Sequence, residues 1–478
     1  MSRARGAQQE IVRLEIERFL GIRPVQIAEL ELDDGGALRP GPGSPPVIHG
    51  LVFVLVRRGG RPVGTLLGQV PEGADPKAVL VDLAAREHMA PGPARLSGPK
   101  SVPFTTVVIA TRERAGLLAH ALDSLLAQDH PDFEIIVVDN APVTDATRDL
   151  VTHKYAERVR YVTEPAPGLA VAHNKGVEAA HGEVIAFTDD DVVADPRWLT
   201  ELTAPFTADP RLGCATGLIL PARLRTPAQV LLEGHGGFAK GFTARTYDPY
   251  EPPADEPLFP FTAGRFGSGA SMAFRTEVLR AVGGFDPATG AGTLARGGDD
   301  LYGFVRVLAE GHRLHYTPQA LVWHRHRETW QDLETQAYGY GAGLTAYLTA
   351  ILVNRPGLLP AFLARLPRGL AYARSLTASR EAASGPEPGS EAGAQSGGHS
   401  GGDSGSRSGA RSGADVPGSA GGGPRRARGA PGGHDDRTHA WPGRLSRLQR
   451  RGMLYGPLGY LRARRALRQR LRQRGAAR

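Results

Sequence analysis

Three consecutive aspartates, Asp189-Asp190-Asp191, follow directly on the apolar run Val184-Ile185-Ala186-Phe187-Thr188. Three ionised carboxylates within a few ångströms repel one another, and a buried strand end tolerates them only where positive charge compensates. Hard oxygen ligands of this kind suit Mg²⁺ or Mn²⁺, which bind through one or two carboxylates together with substrate phosphates and water. For an isolated triplet the alternative is a solvated acidic turn, or a helix N-cap ahead of Pro196. At the end of a β-branched and aromatic run the metal reading is favoured. Two more apolar runs end in polar residues, one in Thr111-Arg112-Glu113-Arg114 and the other in Asp139-Asn140.

These polar ends need elements to hold them on one edge. Residues 106–110, 133–138, 159–162 and 184–188 read as short buried strands, and between them 116–128, 144–156 and 170–180 carry helical periodicity. Strand–helix alternation implies right-handed crossovers and a mostly parallel, doubly wound sheet. Such sheets bind ligands beyond the carboxyl ends of their strands, where the polar residues gather. Further strand-like runs are 213–220 and 271–274, and 302–310 reads as a helix. Ahead of this region, residues 47–56 and 63–70 flank Arg57-Arg58-Gly59-Gly60-Arg61, which reads as a β-hairpin, with a helix over 76–87.

Composition narrows the class. The chain has 478 residues, enough for two or three units, and 41% hydrophobic residues, enough for a real core. A single cysteine, Cys214, excludes an internal disulfide framework and any cysteine-based zinc site. No signal peptide is read in the first ten residues, and no run reaches the roughly 18–20 apolar residues of a spanning helix. Residues 377–433 are dominated by Gly, Ser, Ala and Arg and are expected to be a disordered linker. From Trp441 onward there are twelve arginines, no acidic residue and several leucines and tyrosines. That pattern suggests a basic amphipathic helix on an anionic membrane surface; arginine tracts also grip nucleic acid, which is the less favoured reading.

An ordered set of motifs resembles the inverting glycosyltransferases of family 2, which have the GT-A fold. It begins with Val108-Ile109-Ala110-Thr111-Arg112, Ile136-Val137-Val138-Asp139-Asn140 and Gly168-Leu169-Ala170-Val171-Ala172-His173-Asn174. Gly182 to Asp191, Gly283-Gly284-Phe285-Asp286, Gly298-Asp299-Asp300-Leu301 and Trp323-His324-Arg325-His326 follow in order. The resemblance covers about residues 103–330. It implies an α/β, GT-A type nucleotide-binding fold with a mostly parallel central sheet. Around it are expected a small α+β module (1–97), a helical extension (331–376), the linker (377–438) and the basic tail (439–478).

The resemblance also implies roles. Thr111, Arg112, Glu113, Asp139 and Asn174 would contact the nucleotide sugar, as would Asp189 and Asp190. Asp191, Asp189 and His324 would hold Mg²⁺ or Mn²⁺. Asp300 of the Asp299-Asp300 pair would be the general base, with helix capping as the alternative role for either member. The donor would be a UDP- or GDP-sugar and the acceptor a glycan or lipid-linked molecule. The expected location is cytoplasmic, peripheral at the inner face of the membrane. Two departures stand out: His173 replaces the usual Arg before Asn174, and Ala270-Ser271 stands where relatives often carry Asn. Trp198 is expected to pack rather than stack on sugar. Rival readings are a nucleotidyltransferase, which would ordinarily show a Gly-rich basic loop after the first strand, and a non-catalytic sugar-nucleotide-binding protein.

Overall fold

A computed structural model describes residues 21–33, 36–87, 102–235, 237–368 and 442–476. The expected linker lies outside the described residues. The described residues form one compact unit.

The front module is a four-stranded sheet of β1 (Gln26–Glu31), β2 (Ala37–Pro40), β3 (Gly50–Arg58) and β4 (Arg61–Val70), in the order β2-β1-β3-β4, backed by helix α1 (Pro76–Arg86). The expected hairpin is β3–β4, and Gly59 and Gly60 at its tip adopt the positive φ that a tight two-residue turn requires. Arg57 joins the module to the main sheet through Asp195 at 2.6 Å while also pairing with Glu29. Val25, Ile27 and Leu55 pack with Leu218, Leu220 and Trp323 of that sheet.

The main sheet contains β5 (Thr105–Thr111), β6 (Phe133–Asn140), β7 (Val159–Glu164), β8 (Val184–Asp189), β9 (Val192–Ala194), β10 (Leu212–Pro221), β11 (Arg245–Tyr247), β12 (Met272–Arg275) and β13 (Arg313–His324). Its order is β11-β13-β10-β12-β8-β5-β6-β7, with β9 paired to β13. Strands β7, β6, β5 and β8 run parallel, β12 is antiparallel to both its neighbours, and β10 and β13 are parallel. This is the mostly parallel sheet the resemblance implies.

Side-chain alternation explains how the sheet carries helices on both faces. Val108, Ile136, Val138, Ile185 and Phe187 enter one core. Their neighbours Val107, Ile109, Ile135, Val137, Val184 and Ala186 enter the other. The crossover helices are α2 (Ala115–Leu125), α3 (Ala146–Lys154) and α4 (Leu169–Ala179). Trp198 opens α5 (Trp198–Ala208) fully buried and donates its indole N–H to Ser271 Oγ at 2.9 Å, a packing role as expected. Then come α6 (Pro227–Gly234), α7 (Thr276–Ala281), α8 (Asp299–Ala309) and the long α9 (Trp330–Asn354).

The C-terminal helix α10 (Gly443–Ala476) packs along α9. The two backbones approach so closely that a Cβ on Gly341 would overlap the Gln449 carbonyl, and one on Gly452 would overlap that of Tyr338. Leu445, Tyr460 and Ala463 are buried, and the Tyr460 hydroxyl donates to Asp286 at 2.9 Å. The basic tail is thus anchored along one face; its exposed face carries Leu454, Leu458 and Leu461. Residues 342–351 of α9 face inward through Ala342, Ala346, Tyr347, Ala350 and Ile351. Among the described residues no single helix is long and apolar enough to cross a membrane, and one pair bent by 109°, Trp330–Asn354 with Pro356–Arg368, passes by length and composition together.

Candidate active site

Parallel pairing sets the ends of β5, β6 and β8 side by side: Thr111 is in register with Asp139, and Ala110 with Asp189. A cavity of about 310 Å³ opens there, lined by Thr111, Arg112, Arg114, Asn140, the three aspartates, His324 and Arg327.

The triplet divides its work. Asp190 turns into the protein, where it accepts from Thr111 Oγ1 at 2.6 Å and from Arg114 at 2.5 Å. Burial raises its pKa to about 7, against the opposing pull of Arg114 and that Thr111 hydrogen bond. Asp191 takes the other arm of Arg114 at 2.7 Å and lies 3.3 Å from His324 Nε2. Burial alone would raise it, but His324 and Arg114 hold it well below the usual carboxylate range. Burial and the charge of Asp191 push Asp189 upward. For His324 burial pulls down, but Asp191 and Asp189 outweigh it and the imidazole is raised. The positive charge that the triplet demands therefore comes from Arg114 and His324, and Arg114 had escaped the site assignment although it stands beside Glu113.

Ligand atoms of Asp189, Asp191 and His324 lie within 4.8 Å of one another, and Asp191 Oδ1 is buried with no hydrogen-bond partner. Two carboxylates and an imidazole around an unsatisfied oxygen fit a divalent cation such as Mg²⁺ or Mn²⁺. Asp190 stands outside this cluster.

A second chamber of about 980 Å³ lies beneath α9 and shares Leu169, Asp189, Ala291, Gly292 and Arg327 with the first. His173, Lys240, Asp299, Asp300 and Tyr340 also line it, and α10 adds Gln449. Gly298, with φ 87°, starts α8 in the left-handed region, so neither aspartate is the N-cap. Asp299 is buried with Oδ2 3.2 Å from His173 Nδ1. Asp300 accepts the N–H groups of Gly269 at 2.9 Å and Leu301 at 2.8 Å. Burial, then the charge of Asp299, raises Asp300 to about 6.

Three expected donor contacts lie outside the lining of the small cavity. Asn174 clasps the backbone of Phe285, donating to its carbonyl at 2.8 Å and accepting its N–H at 2.9 Å. Its amide is thereby consumed in bracing the Gly283-Gly284-Phe285 turn, and it lines neither cavity. Glu113 is exposed and accepts from Val143 N, Thr144 N and Thr144 Oγ1 at 2.6–3.0 Å, bracing the loop after β6. Asp139 sits one residue before Asn140, accepts from Tyr161 at 2.8 Å and keeps Oδ1 buried without a partner. Lys240 is a lining group that sequence reasoning did not assign, because a loop outside the motifs brings it in; His173, on α4, lines the chamber, and Arg327, just after β13, lines both spaces.

A crossover sheet with acidic strand ends and a carboxylate–imidazole cluster defines an α/β protein with a candidate divalent-metal site. Residues 106–280 match the family model described as glycosyl transferase family 2, so the chain carries a glycosyltransferase family 2 domain. It is 28% identical over 293 residues to the pre-mycofactocin glycosyltransferase of Mycobacterium tuberculosis, covering 59% of this chain and 56% of that one. It is 37% identical over 125 residues to the validoxylamine A glucosyltransferase of Streptomyces hygroscopicus subsp. jinggangensis, covering 24% of this chain and 29% of that one. The chain thus spans 56% and 29% of the lengths of these curated relatives. Among solved structures it is similar to a mannosyltransferase from Pyrobaculum calidifontis in complex with GDP-Man and Mn²⁺, with TM-score 0.40, 20% identity, and coverage of 63% of this chain and 85% of that one.

Proposed function

We propose that this chain is a divalent-metal-dependent glycosyltransferase that moves a sugar from a UDP- or GDP-sugar to an acceptor hydroxyl with inversion. The observation that carries the reading is the position of Asp189, which lines both the small cavity at the strand ends and the larger chamber holding Asp300. The nucleotide diphosphate occupies the small cavity and the acceptor enters the chamber. Asp189, Asp191 and His324 would hold Mg²⁺ or Mn²⁺, which supplies Lewis-acid neutralisation of charge on the departing diphosphate. Arg327, lining both spaces, places a cation beside the same phosphates. Asp300, oriented by the Gly269 and Leu301 N–H groups, accepts the proton of the acceptor hydroxyl. The acceptor oxygen bonds to the anomeric carbon as the bond to the diphosphate oxygen breaks on the opposite face.

A thermal-shift panel of nucleoside diphosphates, each with and without Mn²⁺, tests the donor half, since a ligand stabilises by RT ln(1 + [L]/Kd). A metal-dependent shift with UDP or GDP supports the reading; none with any nucleotide sinks it.

The same reading extends to a lipid-linked or cell-envelope acceptor and a peripheral position at the inner membrane face. The exposed Leu454, Leu458 and Leu461 fall on one side of α10 with Arg447, Arg451, Arg462 and Arg465 to either end, a pattern suited to an anionic bilayer. Co-sedimentation with phosphatidylglycerol vesicles but not with phosphatidylcholine vesicles is expected. Equal recovery with both, or retention by RNA instead, would count against it.

A further inference from the structure

Behind His324 runs a chain of polar contacts that leads away from both cavities. His324 Nδ1 lies 3.1 Å from His326 Nδ1, and His326 Nε2 lies 3.0 Å from Glu233 Oε2. The His326 side chain is 0% exposed, so its ring nitrogens have these partners rather than bulk water. Phe238 packs against both imidazoles, with ring centroids 5.2 and 5.5 Å away. The anchor is held by its own hydrogen bonds. Glu233 lies on α6, which a Thr226–Gln229 capping box starts, and Gln229 also donates to the His326 carbonyl at 3.1 Å.

In the absence of a cation His324 is the positive partner of Asp191. To ligate one through Nε2 it must be neutral, and proton bookkeeping along this chain then has one solution. An ionised carboxylate only accepts, so His326 carries its proton on Nε2 and presents a lone pair at Nδ1. Two ring nitrogens at hydrogen-bond distance need one proton between them, so His324 carries its own on Nδ1. Its Nε2 is then left as a lone pair, and that is the nitrogen that faces Asp191. A metal-ligating histidine is commonly oriented through its other ring nitrogen in this way.

We propose that Glu233 and His326 are positioning residues that fix the tautomer and ring orientation of His324 for a divalent cation. This rests on the metal reading of the site. In that reading α6 and the loop after β13 support His324 through its second ring nitrogen.

The test uses the full chain and Mn²⁺ alone, with free Mn²⁺ counted by electron paramagnetic resonance and imidazole nitrogen coupling read by electron spin-echo modulation. His326→Leu is expected to weaken Mn²⁺ binding about 10–100-fold and to abolish the nitrogen coupling. His326→Asn is expected to retain affinity within about threefold of the unsubstituted chain, because its Oδ1 can accept where Nδ1 did. Glu233→Gln, which leaves the buried histidines in place, should fall between the two and serves if His326→Leu does not fold. Tight Mn²⁺ binding with full nitrogen coupling in both His326→Leu and Glu233→Gln would overturn the proposal alone. No Mn²⁺ binding by the unsubstituted chain would overturn the metal reading and this proposal with it.

Discussion

The small cavity at the strand ends and the chamber beneath α9 share Asp189 and Arg327 but are built by different means. Most of the first is set by the backbone ladder: β5, β6 and β8 lie in register, and Thr111, Asn140 and Asp189 follow automatically. The second is assembled from the Lys240 and Gly269 loops, the start of α8, and two helices far apart in sequence. A ladder fixes position cheaply in sequence terms, whereas loops and docked helices fix it through many separate contacts. Damage to the first should therefore strike binding of metal and nucleotide, and damage to the second should strike the acceptor.

Asp191→Ala should give the largest effect. It removes the buried oxygen of the metal cluster, with an expected loss of about 10³-fold or more in kcat/KM and loss of Mn²⁺ binding in calorimetry. Retained metal binding would place the cation elsewhere. Asp300→Asn should lower kcat by about 10²–10⁴-fold while leaving nucleotide affinity unchanged, and a parallel loss of nucleotide binding would erase the division between the two spaces. As the base must be ionised, log kcat/KM should fall with unit slope as pH drops below the pKa of about 6. Since the charge of Asp299 helps to raise that pKa, Asp299→Asn should move the acid limb to lower pH.

Gly452→Val tests the chamber wall. Its side chain would drive α10 from α9 at an overpacking penalty of about 1–3 kcal/mol, raising acceptor KM while leaving nucleotide affinity intact. Asn174→Ala should cost about 1–3 kcal/mol of stability by stranding the Phe285 backbone groups, with nucleotide affinity unaltered; a specific loss of nucleotide binding would restore its expected role as a ligand. Smallest of all, Glu113→Ala should loosen the loop at Val143 and Thr144 and change donor KM less than about threefold, as an exposed brace without ligand contact would.

The ladder-built half was legible because apolar runs of period two, each ending in polar residues, leave few alternatives. The bracing contacts of Asn174 and Glu113 were not legible, because an amide or carboxylate that braces a backbone looks identical in sequence to one that binds a ligand. Strand β13 was hidden by Pro318, where its register against β10 jumps between Thr317 and Leu321. The inner face of α10 was hidden as well, since Gly452 and Gly456 register as gaps in hydrophobicity although their backbone lies directly against α9. Arg114 was within reach: three adjacent aspartates demand a cation, and the arginine nearest a neighbouring strand end supplies it.

The seam between α9 and α10 has a consequence for the order in which the protein is made. Residues 355–442 separate the two helices, so a ribosome releases the entire crossover sheet, its acidic edge included, well before α10 emerges. A nascent chain can form the strand-end cavity while Gln449, which α10 adds to the neighbouring chamber, is still untranslated. Interrupted synthesis would then leave the acidic edge formed while the face of α9 that α10 covers stays open to solvent.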